Sequence, residues 1–149
     1  MSTGAATMAA AGIRSVLELS LLASAACTSI SVDARTFEGT RWRVVAINGY
    51  ATPPAYPFYI TFTKGHFTAR MGCNMAQGAF RVEGERLVPG MAGSTEMACE
   101  ADGQVAVPPM TFERWGFTVF DKPMRITWKS ASRLTLNNSS GSIELQRQS

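Results

Sequence analysis

From Thr40 onward, apolar residues alternate with polar ones in short runs broken by turn residues, the period-two signature of half-buried antiparallel strands. Trp42, Val44 and Ala46 share one face of the first run. Ile60 and Phe62 lead through "TKG", a hairpin turn around Lys64 and Gly65, into Phe67, Ala69 and Met71. Phe80 and Val82 face one way, Arg81 and Glu83 the other, and "EGE" turns the chain toward Leu87. Later, Met124, Ile126 and Trp128 alternate with charged or polar neighbours, as do Leu134 and Leu136, and "NNSSG" is a loop before Ile143 and Leu145. One stretch breaks the alternation. "PPMTFERWGFTVFDKP" carries Phe112, Trp115, Gly116 and Val119 at helical spacing, with Pro109 at a helix start and Pro123 past its end. The pattern predicts a mainly β fold, a small antiparallel β-barrel of about eight strands with one packed helix.

The chain has 149 residues, 46% of them hydrophobic and 17% charged, enough for one domain with a real core and too few for two. The net charge of +3 comes from arginines scattered among acids rather than from a basic run, which argues against nucleic-acid binding. The loop "NGYATPPAYPFY" gathers Tyr50, Tyr56, Phe58 and Tyr59, which either cap an open end of the barrel or form a binding edge.

Residues 1–26 differ from the rest: small and apolar, with Arg14 ahead of "SVLELSLLASAAC". They read as a signal peptide, with Glu18 an unfavourable charge in the apolar run and Met8 an alternative start. "SAAC" ending at Cys27 resembles the lipobox of bacterial lipoproteins, although Ser24 stands where leucine is preferred. Lipidation at Cys27, cleavage after Ala25 with ordinary secretion, and an uncleaved extension are the three readings. Residues 27–38 would form a polar tether to a domain spanning 39–149. The expected location is a membrane-anchored lipoprotein facing the periplasm, or a secreted or periplasmic protein.

Export implies an oxidising compartment, and three cysteines leave one odd. If Cys27 takes lipid, Cys73 and Cys99 remain as a pair whose bond would stabilise the fold by roughly 3–4 kcal/mol in the chain-entropy model. A cysteine nucleophile needs a base, and the sole histidine, His66, falls on the solvent side of its strand. Two lone cysteines and one histidine do not make a zinc site, and Glu83 and Glu85 merely flank a turn. No catalytic residues, metal site or cofactor are expected. A thiol-dependent enzyme is the minor alternative, and requires a free, exposed thiol at Cys73 or Cys99.

"GTRWRVVAINGY", "GCNMAQGAFRVEGERL", "STEMAC" and "SRLTLNNSSGSIELQR" occur in that order across residues 39–147, and together they resemble the META domain, the HslJ-like family. The resemblance implies a small antiparallel barrel with a helix at one end and a disulfide between Cys73 and Cys99. It also implies exported or envelope proteins linked to heat shock, novobiocin tolerance, motility or virulence, with no established enzymatic activity. Within the shared motifs, Gly72, Asn74, Thr95 and Met97 read as structural. Gly72 is expected at positive φ, and Asn74 in a local side-chain to backbone hydrogen bond of the turn. "EADGQVAVPPM" departs from the longer helix of relatives. The expected role is binding or scaffolding in the envelope, the partners being the membrane through a lipid anchor and an unknown envelope protein. The alternative is a carrier of a small apolar ligand or lipid, lined by Trp42, Trp115 and Trp128.

Overall fold

The computed structural model describes residue 1, residues 34–99 and residues 106–149. The expected signal peptide, the lipidation site Cys27 and most of the tether lie outside the described residues. A short 3-10 turn, Ala34–Thr36, leads into β1 (Thr40–Ile47), β2 (Tyr50–Ala51), β3 (Phe58–Thr63), β4 (His66–Met71), β5 (Asn74–Glu83) and β6 (Arg86–Ser94). The helix α1 (Pro109–Phe120) follows, then β7 (Met124–Ser130), β8 (Arg133–Asn138) and β9 (Gly141–Gln148). All pairings are antiparallel, in the order β2-β1-β3-β4-β5-β6-β7-β8-β9, and β1 also pairs with β9. The result, among the described residues, is a closed barrel of eight strands with β2 as an outer strand and one α-helix, a mainly β barrel as the alternation predicts.

Two-residue turns set the early registers. Asn48 and Gly49 join β1 to β2 with φ of 52° and 81°, and Lys64 and Gly65 join β3 to β4 with φ of 52° and 71°. Two successive residues at positive φ match the right-handed twist of the strands they connect. The turn at Lys64 and Gly65 is further fixed by Glu38, whose carboxylate accepts both of their backbone N–H groups.

The inward residues fill the barrel. Trp42, Val44, Ile60, Phe62, Ala69, Met71, Leu87, Met124, Leu136 and Ile143 have no measurable exposure, and each large side chain so buried contributes roughly 1.5–3 kcal/mol. Where β1 begins, Phe37 closes the barrel, its ring 5.0 Å from Phe62 and 6.2 Å from Trp42. The indole N–H of Trp42 donates to Thr40 Oγ1 at 2.8 Å, and that hydroxyl donates to the Phe37 carbonyl at 2.5 Å, so no donor there is orphaned.

At the other end sits α1. Pro109 occupies its first turn, where a missing N–H costs nothing. Its buried face carries Phe112, Glu113, Gly116, Val119 and Phe120. Gly116 lets the helix approach: a Cβ there would lie 3.0 Å from Met71 Sδ and 3.2 Å from Ile47 Cδ1. Phe120 packs on Phe67 at 4.8 Å, Phe112 on Phe58 at 5.9 Å, and Asn138 Nδ2 donates to the Val119 carbonyl at 2.8 Å.

One expectation about β1 is corrected. Ala46 does not share the inward face of Trp42 and Val44, because a β-bulge between Val44 and Ala46 inserts Val45 opposite β9 and turns Ile47 inward instead. Thr52, just past β2, binds the backbone carbonyls beside the bulge. Its hydroxyl donates to the Val44 carbonyl at 2.7 Å and its N–H to the Val45 carbonyl at 3.0 Å.

Gly78 and Gly93 provide a paired test of the β5–β6 ladder. A Cβ on Gly78 would collide with the Gly90 carbonyl, whereas one on Gly93 meets nothing within 4 Å. In urea unfolding, Gly78→Ala is expected to lose about 1–3 kcal/mol. Gly93→Ala should stay within about 0.5 kcal/mol of the parent.

Candidate functional site

The motif residues meet where β4, β5, α1 and residues 95–99 come together. Gly72 and Cys73 turn β4 into β5, with Gly72 at φ 68° as expected. Gly72 N–H donates to the Pro57 carbonyl at 3.0 Å, and its own carbonyl accepts Arg70 Nε at 3.2 Å, so the turn is held from both sides. After β6 ends, residues 95–99 continue past the start of β5 as a strap. Thr95 N–H donates to the Met75 carbonyl at 2.8 Å, and Met75 N–H donates to Thr95 Oγ1 at 3.0 Å. The strap ends in the Cys73–Cys99 disulfide, with Cα atoms 5.9 Å apart. Cys99 N–H donates to Met110 Sδ on α1 at 3.3 Å.

Asn74 binds the strap to the body. Its Nδ2 donates to the Met97 carbonyl and to Glu113 Oε1, both at 2.8 Å, while its Oδ1 accepts the Met97 N–H at 2.7 Å and the Thr95 hydroxyl at 2.9 Å. Every hydrogen-bonding position of the carboxamide is therefore used. The expected local turn bond is corrected to these contacts across 21 to 39 residues. The reason is the phase of β5. Asn74 lies on the inward face with Ala76, Gly78 and Phe80, so its amide points away from its own turn toward the backbone of the strap. Thr95 and Met97, named from the sequence only as motif positions, are its partners.

Glu113 is the functional candidate that pattern reading passed over. It is buried, at 8% exposure, and its Oε2 has no partner among the described residues. Beside it, a cleft of about 440 Å³ opens between strap and helix, with Thr95, Met97, Ala98, Met110 and Phe117 among its walls. A signal for Glu113 was available, since it shares a helical face with Gly116 and Phe120 at spacings of three and seven.

The remaining sequence candidates are placed elsewhere. Cys73 and Cys99 are bonded to each other, so neither is a thiol, and His66 is exposed, its Nδ1 2.9 Å from the Lys64 carbonyl. The three tryptophans do not converge on one pocket. Trp42 is buried against Phe37 and Trp128 at the end remote from α1, whereas Trp115 lies on the helix, 5.5 Å from Tyr50 and 5.8 Å from Phe112. The loop aromatics also divide. Phe58 enters the core, Tyr50 covers Trp115, and Tyr59 lies 3.8 Å beneath the Arg41 guanidinium. Tyr59, Tyr56, Arg41 and Arg43 line a separate cleft of about 390 Å³. Among the described residues no group of three His, Cys, Asp or Glu side chains converges to hold a metal ion.

A small closed β-barrel, plugged by a helix and strapped by a disulfide at the mouth, defines the class of protein. The META domain profile matches residues 35–149, and the chain belongs to that family. The fold is similar to that of a protein solved by NMR, 19% identical, with a TM-score of 0.61 over 77% of this chain and 94% of that one. It is also similar to an NMR structure of a protein from Burkholderia xenovorans, 19% identical, with a TM-score of 0.58 over 78% of this chain and 86% of that one. At this identity the likeness shows the fold alone. No curated protein matches the chain.

Two experiments test the strap. Replacing both Cys73 and Cys99 by serine is expected to lower stability in oxidising buffer by about 3–4 kcal/mol. In reductant the parent and the variant should unfold alike. For the hydrogen bonds, a double-mutant cycle between Asn74→Ala and Glu113→Ala should give a coupling of about 0.5–3 kcal/mol in urea unfolding, and simple additivity would mean the bond contributes nothing.

Proposed function

We propose that this protein is an exported, lipid-anchored META-domain protein of the cell envelope that acts by binding or scaffolding and performs no chemistry of its own. The observation that carries the reading is the Cys73–Cys99 disulfide, because such bonds persist in oxidising compartments and are rare in a reducing cytosol. The pairing also leaves Cys27 as the unmatched cysteine, in the position where a lipobox would place the lipidated residue. A lipid anchor with more than one acyl chain would hold the domain durably at a membrane surface. A role in envelope stress or antibiotic tolerance, by analogy with the family, belongs to the same proposal.

The interior bears on how binding would occur. Aromatic and aliphatic side chains occupy it along its whole length, which weighs against an apolar ligand carried inside the barrel and favours contact through the outer surface and the strapped mouth.

The test is the intact mass of the protein recovered from its native envelope, with and without reductant. A chain beginning at Cys27, heavier by acyl groups and gaining two hydrogens on reduction, is the expected result. A chain cut after Ala25 would replace anchoring with secretion. A chain that retains its leader and does not change mass on reduction would overturn export altogether.

A further inference from the structure

Glu113 is the one acidic side chain buried among the described residues. The other acids with described partners lie at the surface: Glu38 on the turn at Lys64, Glu83 with Arg81, and Glu85 with Arg125. A buried carboxyl group costs free energy unless its oxygens are satisfied. Here Oε1 receives a single neutral bond from Asn74 and Oε2 receives none. The deficit does not depend on protonation, because an Oε2–H would be an orphaned donor just as Oε2 is an orphaned acceptor. The Asn74 bond itself does not call for a charge here, since a glutamine carbonyl would accept it equally well, whereas an apolar residue would orphan the buried Asn74 N–H.

The surroundings indicate what would complete the group. Among the described residues no lysine, arginine or histidine lines the cleft beside Glu113, and Glu96 adds a second carboxylate at its exposed rim. The rest of the wall has a polar side, Asn74, Ser94 and Thr95, and an apolar, deformable side, Met97, Ala98, Met110 and Phe117. Met97 and Met110 are unbranched thioethers, exposed by 53% and 38%, that reshape around a guest at little cost, and Phe117 adds an aromatic ring to the wall, a group that attracts cations. The cleft volume of about 440 Å³ falls within the range of small-molecule sites. Oε2 is sealed from solvent, so a guest reaches it by a rotamer change of Glu113 or of the methionines beside it.

We infer that this cleft binds an organic cation, a primary ammonium or guanidinium carried on a short apolar stem, with Glu113 as its counter-ion. The stem lies along Met97, Met110 and Phe117, and the charged head donates hydrogen bonds to the Glu113 carboxylate. Asn74 is a positioning residue: it orients Glu113 through Oε1 and holds Met97 through both of that residue's backbone groups. The cation could be a free amine or the lysine or arginine side chain of a partner peptide, and the chemistry at Glu113 is the same for both. This inference rests on the reading of the protein as a binding protein, but not on its export or anchoring, which the mass measurement tests separately.

The experiment is an NMR titration of the full chain with isotope-labelled methionine methyl groups, so that Met97 and Met110 report on the cleft directly. Agmatine and n-butylamine are the cationic probes, n-butanol the neutral isostere and butyrate the anion. Saturable shifts of the Met97 and Met110 methyls with the two cations, and none with butanol or butyrate, are expected. In Glu113→Gln the affinity should fall at least tenfold while the protein stays folded, since the Asn74 bond is retained. A blocked lysine tripeptide that binds more tightly than n-butylamine assigns the site to a protein partner, and weaker binding assigns it to free amines. Equal shifts with butanol and butylamine, no saturable shift with either cation, or unchanged affinity in Glu113→Gln would each overturn the inference. The butanol comparison uses the parent protein alone and decides the matter even if the variant misfolds.

Discussion

Eight strands can bury one common set of side chains without leaving a free edge only if the first pairs with the last. In this protein that closure is the ladder from Arg41↔Gln148 to Ile47↔Ile143. It joins residues a hundred positions apart, so the barrel exists only once the end of the chain has returned to its beginning. Closure also fixes the diameter, and at eight strands the interior is just wide enough for side chains to fill. Trp42, Phe62, Phe67 and Phe120 fill it here. With these side chains inside, the polar chemistry described for this protein lies at the walls and the ends.

The two ends are finished differently. Where β1 starts, Phe37 and the Trp42–Thr40–Phe37 hydrogen bonds make a seal in which the buried indole N–H and hydroxyl both have partners. Where β1 finishes, the seal is a helix, and a helix brings a side chain, Glu113, that is not satisfied. The Cys73–Cys99 bond, the Asn74 carboxamide and the close approach at Gly116 all act on that second end. Stabilising devices are thus concentrated around the one unpartnered buried side-chain atom among the described residues, an arrangement common where a protein keeps a local cost for a purpose.

Much of this architecture was legible in the chain. Period-two runs located the strands, two-residue turns such as Lys64–Gly65 located their ends, and Pro109 and Pro123 bracketed the helix. Three features were not legible, and for different reasons. The bulge at Val45 changes the phase of β1 after Val44, and Thr52, just past β2, binds the Val44 and Val45 carbonyls there, which no window along the sequence reveals. Asn74 was given the commonest habit of its residue type in a turn, yet the inward phase of β5 carries its amide to partners on the strap and the helix. Glu113 was overlooked because a glutamate on a helix is ordinarily solvated. Its alignment with Gly116 and Phe120 was the available sign. Residues 2–33, Cys27 among them, lie outside the described residues, so the sequence alone speaks for them.

The covalent ring formed by Cys73 and Cys99 contains both β5 and β6 together with the turn between them. A protease that cuts the exposed turn at Gly84 and Glu85 therefore releases nothing: the pieces before and after the cut stay joined through sulfur, as well as by the β5–β6 ladder. A cut at the exposed turn of Lys64 and Gly65 has no covalent tether and leaves two chains held only by the strand ladders and packing. In a compartment that exposes proteins to proteolysis, one hairpin of this barrel is insured against a single cut and its neighbour is not.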